Sequence, residues 1–258
     1  MIIKKNEILA MTQDQHAEIV ASYAKVNSLT DTESFLTIAD FVVQREPMTI
    51  TDGIASIHIK GALTDNAPPI HEMAGGTDYR SIREDIEQAK AQGVEGINYH
   101  IDSGGGSVRG LKETANAIMQ SGIPSESIVE GTAASAAYYL AASTRNEDGV
   151  NKIESSVSSI NGNIGTIMAY TDPSKALKGM GIERKAITNE GADLKSIGSV
   201  DMTEEQHAFL QSQVDEMGQD FRDVVEQSRP EIDEEVFRAG WYSGEKAVSL
   251  GLIDSITD

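Results

Sequence analysis

The chain has 258 residues, with 41 acidic against 21 basic side chains, no cysteine, and a formal charge of −20. That length can bury a substantial core in one large domain or two smaller ones. The acidic balance argues against a nucleic-acid surface or an anionic membrane face, both of which need clustered Lys and Arg, and the missing thiols exclude disulfides, thiolate catalysis and Cys-ligated zinc.

Residues 1 to 47 read differently from the rest. Thr12-Gln13-Asp14-Gln15 has the capping-box pattern, and Ile19, Val20 and Tyr23 follow at helical spacing, so an N-terminal helical extension is expected, ending before Pro47. The opening Met1-Ile2-Ile3-Lys4-Lys5-Asn6-Glu7 lacks the long apolar core of a signal peptide. No window of the chain reaches the roughly 18 apolar residues needed to span a bilayer. A soluble, cytoplasmic protein without a membrane partner is expected.

From Gly53 the pattern becomes an alternation of strands and helices. Ile54 to Ile59 predicts a strand, followed by a loop holding Pro68-Pro69 and Gly75-Gly76. Asp78 to Gln92 predicts a helix with Ile82, Ile86 and Ala89 on one face and Gly93 as its stop. The strand Gly96 to Ile101 runs into Asp102-Ser103-Gly104-Gly105-Gly106-Ser107, and Ser107 is read as the cap of a helix carrying Val108, Leu111, Ala115 and Ile118. On that reading the glycines sit where strand passes to helix, a place that favours an anion.

A short strand at Ser127 to Val129 leads to Gly131, and the alanine-rich run after it favours a helix starting near Ser135. Asp172-Pro173 predicts a short helix with Pro at its first position and Gly181 near its end. Thr203-Glu204-Glu205-Gln206 is a second capping box. Beyond it, Leu210, Val214, Met217, Phe221 and Val224 recur at helical spacing and form an apolar stripe that needs a partner surface. Strands and helices in alternation predict a mostly parallel sheet with crossover helices, an α/β fold.

The chemistry centres on Gly131-Thr132-Ala133-Ala134-Ser135-Ala136-Ala137-Tyr138-Tyr139. A serine among small residues has no bulky neighbour of its own to shield it from a substrate carbonyl. The glycine run upstream can bring bare backbone N–H groups close to a developing oxyanion. The plain alternatives are a helix cap or a close-packing residue for Ser135 and an ordinary tight turn for the glycines. Tyr138 and Tyr139 read as core residues, and Trp241-Tyr242-Ser243-Gly244 as structural.

Asp102-Ser-Gly-Gly-Gly-Ser-Val108, Ala133-Ala-Ser-Ala-Ala-Tyr-Tyr139, Asn161-Gly-Asn-Ile-Gly-Thr166, Gly191-Ala-Asp-Leu-Lys195 and Tyr242-Ser-Gly-Glu-Lys-Ala247 occur in this order. Together they resemble the signal peptide peptidase A family of serine peptidases, and within it the phage minor capsid protein C type, the head maturation proteases. The resemblance covers roughly Thr51 to Asp258. It implies the spiral α/β fold shared with Clp protease and the crotonases, with a peptidase domain over 48–258 behind the extension at 1–47. It further implies Ser135 as nucleophile, Lys195 as general base, and an oxyanion hole drawn from the amides of Ala136 and of Gly105 or Gly106. The implied partners are a polypeptide substrate and further copies of the chain in a ring, with scaffold or other capsid-interior proteins cleaved inside the prohead in the host cytoplasm.

A lysine acts as a base only when neutral. Lowering its pKa from about 10.4 to about 7.5 by burial costs about 4 kcal/mol of folding stability. Lys175, Lys178 and Lys185 lack a matching family segment. The family usually has proline at the position of Gly104. Many relatives place a serine at the position of Asn163 to support the lysine; here Asn163 takes that role, or it falls to Ser159 or Thr166, or it is absent. His100 with Asp102 is the rival base, since a Ser-His-Asp triad is the commoner solution. No metal-ligand or nucleotide motif is present, so neither metal nor cofactor is expected. A cytoplasmic bacterial peptidase of the same family, a crotonase-like acyl-CoA enzyme and a catalytically silent capsid scaffold are the alternative functions.

Overall fold

A computed structural model describes residues 9–10, 45–198 and 201–257. Its strands and helices begin with β1 (Leu9–Ala10), β2 (Thr49–Thr51), β3 (Ile54–Lys60), β4 (Leu63–Thr64), α1 (Pro69–Met73), β5 (Thr77–Asp78) and α2 (Tyr79–Gln92). The middle of the chain forms β6 (Gly96–Ser103), β7 (Gly106–Ser107), α3 (Leu111–Met119), β8 (Ser125–Ala134), α4 (Ala136–Ala142), β9 (Ile153–Ser156) and β10 (Ile160–Gly162). The remainder forms α5 (Ser174–Gly179), the long α6 (Glu204–Ser228), β11 (Trp241–Ser243), α7 (Gly244–Ser249) and β12 (Ser255–Thr257).

Strand period two explains the main sheet. Along β6, Ile97, Tyr99, Ile101 and Ser103 are buried while Asn98, His100 and Asp102 face the other side, and β3 alternates in the same way. The buried face is covered by α2, α3 and α4, which bring Ile82, Ile86, Ala115, Ile118 and Leu140 onto it. The strand order is β11-β10-β8-β6-β3-β2, with β9 and β12 continuing from β8. The pairs β3–β6, β6–β8, β8–β9, β8–β10 and β9–β12 are parallel, and only the flanking β2–β3 and β10–β11 pairs in this sheet are antiparallel. This is the mostly parallel, Clp-protease-like α/β architecture expected from the sequence.

β8 is long enough to serve two partners. Ser127–Val129 pairs with β9, and Thr132–Ala134 pairs with β10. The strand therefore changes neighbour within the sheet, from β9 to β10, just before Ser135. A second, four-stranded sheet, β1-β7-β4-β5, lies at that end of the molecule.

Local signals hold where they were strong. Asp78 caps α2 by accepting from the Arg80 amide, and Gly93 ends the helix in the left-handed region at φ 67°. Thr203 and Gln206 form the capping box of α6. The C-terminal end of the α6 stripe finds its partner in α4, where the Phe221 ring lies 5.2 Å from that of Tyr139 and the Tyr139 hydroxyl donates to Asp220 at 2.9 Å, while Leu210, Val214 and Met217 stay half-buried.

Three local expectations are corrected. The Pro68–Gly76 stretch contains the short helix α1. Pro173 is the cap of α5 and not its first helical residue. Ser107 is a strand residue whose hydroxyl accepts from the Arg109 amide, and α3 begins four residues later behind Gly110. The glycine run therefore leads into a crossing strand and has no helix dipole behind it. The Thr12–Gln15 capping box and the expected helix lie outside the described residues. Arg45 and Glu46 tie that end to the body through Asp85 and Lys60. Among the described residues no helix is long and apolar enough to cross a membrane.

Candidate active site

Ser135 stands on the turn between β8 and α4, at φ 55° and ψ −125°, a conformation an L-residue adopts only at a cost of about 1–3 kcal/mol. Its surroundings impose that turn. The Ser135 amide donates to the Gly162 carbonyl at 2.8 Å, and the Ser135 carbonyl accepts the first helical bond from Tyr139 at 3.0 Å. The Ser135 side chain makes no capping bond to the helix, which removes the plain reading of this serine as a cap. The residue as a whole is 1% exposed.

The helix behind it is buried on every side, all seven residues of α4 included. Its last carbonyls are not orphaned. Asn151 Nδ2 donates to Ala141 at 2.9 Å and to Thr144 at 3.1 Å, and the Arg145 guanidinium donates to Ala142 at 2.8 Å. Tyr138 donates its hydroxyl to the Leu252 carbonyl at 2.7 Å, and burial raises that phenol's pKa well above its ordinary value. At the other end, Ala136 is the first helical residue, so its N–H has no intrahelical acceptor. Ser135 and the Ala136 amide are thereby held on one rigid element.

The glycine run is anchored just as firmly. A Cβ on Gly106 would overlap the Leu63 carbonyl, so the crossing of β7 over β4 requires glycine. The Leu63 amide donates to the Gly105 carbonyl at 2.9 Å. Carbonyl and amide of a trans peptide point in opposite directions, so the Gly106 N–H is directed away from β4, toward the edge of β7 on which β1 pairs. The Gly105 amide has a partner already: it donates to Ser103 Oγ at 3.1 Å, and that hydroxyl donates to the Gly61 carbonyl at 2.5 Å. β7 packs against α4, which brings the edge beside Ser135. Sequence reasoning missed Ser103 and Gly162, whose contacts depend on residues far away in the chain.

Lys195 is not brought to Ser135 within the single chain. It lies on a 3-10 turn, Asp193–Ser196, with no buried residue, and its side chain is exposed. The turn is held by α6, where Gln206 Nε2 donates to the Asp193 carbonyl at 2.7 Å and to Ser196 Oγ at 2.8 Å. The candidates for supporting the lysine are engaged elsewhere. Asn163 Nδ2 donates to Ala239 at 3.0 Å, Thr166 donates to the Val214 carbonyl at 2.8 Å, and Ser159 donates to the Ser156 carbonyl at 2.6 Å.

The rival triad is not assembled either. His100 Nδ1 lies 3.0 Å from Glu130 and its ring stacks on His58, while Asp102 accepts from the Thr132 amide at 2.9 Å. Both point to the outer face of the sheet, away from Ser135. Burial pushes the His58 imidazole below its ordinary pKa, partly offset by the Glu46 carboxylate. A cavity of about 350 Å³ lies between the start of α5 and the start of α6, lined by Tyr170, Arg184, Met202 and His207 among others, and holds neither Ser135 nor Lys195.

The sequence model of peptidase family S49 matches residues 117–258, more than half of the chain. The chain belongs to peptidase family S49. The matched span of this S49 chain contains Ser135, Ala136, Asn163 and Lys195, with the glycine run just upstream of it. Membership makes serine peptidase chemistry on polypeptides the activity class, and within that class the strained, buried Ser135 is the hydroxyl on a built turn.

Proposed function

We propose that the chain is a serine endopeptidase in which Ser135 is the nucleophile and Lys195 the general base, of the phage minor capsid protein C type, cleaving scaffold or other capsid-interior proteins in the prohead. The observation that carries the reading is the Ser135 turn, strained, uncapped and followed by an unpartnered helix amide. In the reaction, Ser135 Oγ attacks the scissile carbonyl as its proton passes to Lys195 Nζ. The oxyanion of the tetrahedral intermediate is held by the Ala136 N–H and, of the two upstream candidates, the Gly106 amide, since the Gly105 amide is engaged by Ser103 Oγ. Collapse breaks the C–N bond, the leaving amine takes the proton from Lys195, and water then hydrolyses the acyl-enzyme by the same steps. Asn163, with Nδ2 committed to Ala239, acts on Lys195 through its remaining oxygen.

A base of this kind must be desolvated, and Lys195 is exposed in the single chain. The segment around it also exposes Ile167, Tyr170, Met180, Ile182 and Ile187, the last 99% exposed. Assembly of copies into a ring buries this apolar surface and dehydrates the lysine in one step. A monomeric mass by light scattering across micromolar concentrations overturns the assembly.

The test of the function is processing of a candidate scaffold, followed by intact mass, together with labelling by a fluorophosphonate. Wild type is expected to cleave and to carry the label on Ser135; Ser135→Ala and Lys195→Ala, folded and assembled, do neither. Cleavage that survives Lys195→Ala and is lost in His100→Ala transfers the base to the triad.

A further inference from the structure

β7 is only two residues long, and its two neighbours are β4 on one side and β1 on the other. β1 comes from the far N-terminus: Leu9 stands opposite Ser107 and Ala10 opposite Gly106, in antiparallel register. Without β1 this edge of β7 is open, and an open edge is a template for an extended peptide. Gly106 directs its N–H to that edge, because the Gly105 carbonyl on the same peptide bonds Leu63 on the other side. The edge lies beside α4, the helix that begins one residue after Ser135.

We propose that Leu9–Ala10 is the chain's own occupant of the substrate strand, a built-in competitive ligand that pairs with Gly106–Ser107 and must leave before a polypeptide binds. The inference rests on the endopeptidase reading, since the edge matters only if substrate uses it. Three observations converge on it. The register is antiparallel, and it places Ala10 opposite Gly106, whose amide is one of the two upstream candidates for the oxyanion donor. The paired residues, Leu9 and Ala10, are uncharged, and the one opposite Gly106 is a small apolar residue. The other strands of this sheet, β4 and β5, are parallel to β7, so β1 alone runs in the opposite sense, joined through backbone to a segment with no side chain at Gly106. An intramolecular occupant lowers the apparent affinity for external peptide by the fraction of time it is seated.

The test uses the full chain and two variants. Ala10→Pro removes the N–H that faces Gly106, while Ala10→Val keeps it and favours a strand. A fluorescein-labelled peptide of the sequence Lys5–Asp14 is titrated by anisotropy against each, and hydrolysis of an unrelated peptide gives KM and kcat separately. Ala10→Pro is expected to bind the labelled peptide about tenfold tighter than wild type, the loss expected for one or two backbone hydrogen bonds. It should also show a KM lower by a similar factor at unchanged kcat, with Ala10→Val matching wild type. Equal peptide binding and equal KM in wild type and Ala10→Pro overturn the inference and leave the endopeptidase standing. Tighter peptide binding by Ala10→Pro, with no hydrolysis and no label on Ser135 in any variant, supports the pairing and overturns the endopeptidase reading instead.

Discussion

Ser135 and Lys195 sit in regions built in opposite ways. The first lies on a turn wedged between β8 and a fully buried helix, with the amide, the carbonyl and the far end of the helix all bonded to named partners. The second lies on a 3-10 turn with no buried residue, held by one glutamine of α6 and surrounded by exposed apolar side chains. A nucleophile must be held in one conformation, and a single chain can supply that. A lysine base must be dehydrated, and this chain leaves its lysine in water. If Ser135 and Lys195 act together as proposed, the single chain fixes the nucleophile by itself and leaves the dehydration of the base to assembly or substrate.

The largest effects are expected when Ser135 and Lys195 are removed separately. Ser135→Ala is expected to lower kcat by about 10⁴-fold or more, and Lys195→Ala by a similar order, because members of such a unit fail together. Their stabilities should diverge: thermal unfolding of Lys195→Ala stays within about 0.5 kcal/mol of wild type, as for any exposed side chain. A large gain of stability in Lys195→Ala means that the lysine is desolvated in the form assayed, since a buried lysine costs folding stability.

The next effect tests the buried side alone. Phe221→Ala removes a side chain 1% exposed that packs on Tyr139. It should cost about 3–5 kcal/mol in denaturant unfolding, and peptidase activity should fall as α4 loosens. Ser135→Gly works in the reverse direction. Relief of the positive φ should raise stability by about 1 kcal/mol while abolishing turnover; no gain would mean that the turn is unstrained in solution.

The smallest effect is pH dependence at His71, a buried residue of α1 in the connection from β4 to β5. Burial lowers its pKa below 6.5, opposed by its bonds to the Ala62 and Thr77 backbone and by the nearby Asp78 and Glu72 carboxylates. The Nε2–H donates to the Ala62 carbonyl at 2.9 Å, which the neutral ring can do. The folded state thus resists protonation that the unfolded state accepts. Stability is full above pH 6.5 and declines as pH falls below it, by at most about 1.4 kcal/mol per pH unit. His71→Gln should flatten that slope in urea titrations at pH 5 and 7, and a slope unchanged by the substitution assigns the effect to His58.

The sequence by itself determined what depends on neighbours in the chain. Asp78 and Gly93 bound α2, Thr203 and Gln206 start α6, and the change from β-branched to alanine-rich residues breaks the chain at Ser135, because caps, turns and propensities act within four or five residues. The motif order likewise made the peptidase family legible. Only the tertiary structure decided that Ser107 belongs to a strand, that Ser103 already holds the Gly105 amide, that His100 turns to Glu130, and that Leu9–Ala10 lies along Gly106–Ser107. Apart from the Ser103–Gly105 bond, whose hydroxyl is oriented by the distant Gly61 carbonyl, each is a close approach between segments distant in sequence, where the partner, and not the local pattern, sets the geometry. Lys195 shows the same division, since its motif is visible in the sequence while its exposure is set by what packs, or does not pack, against it.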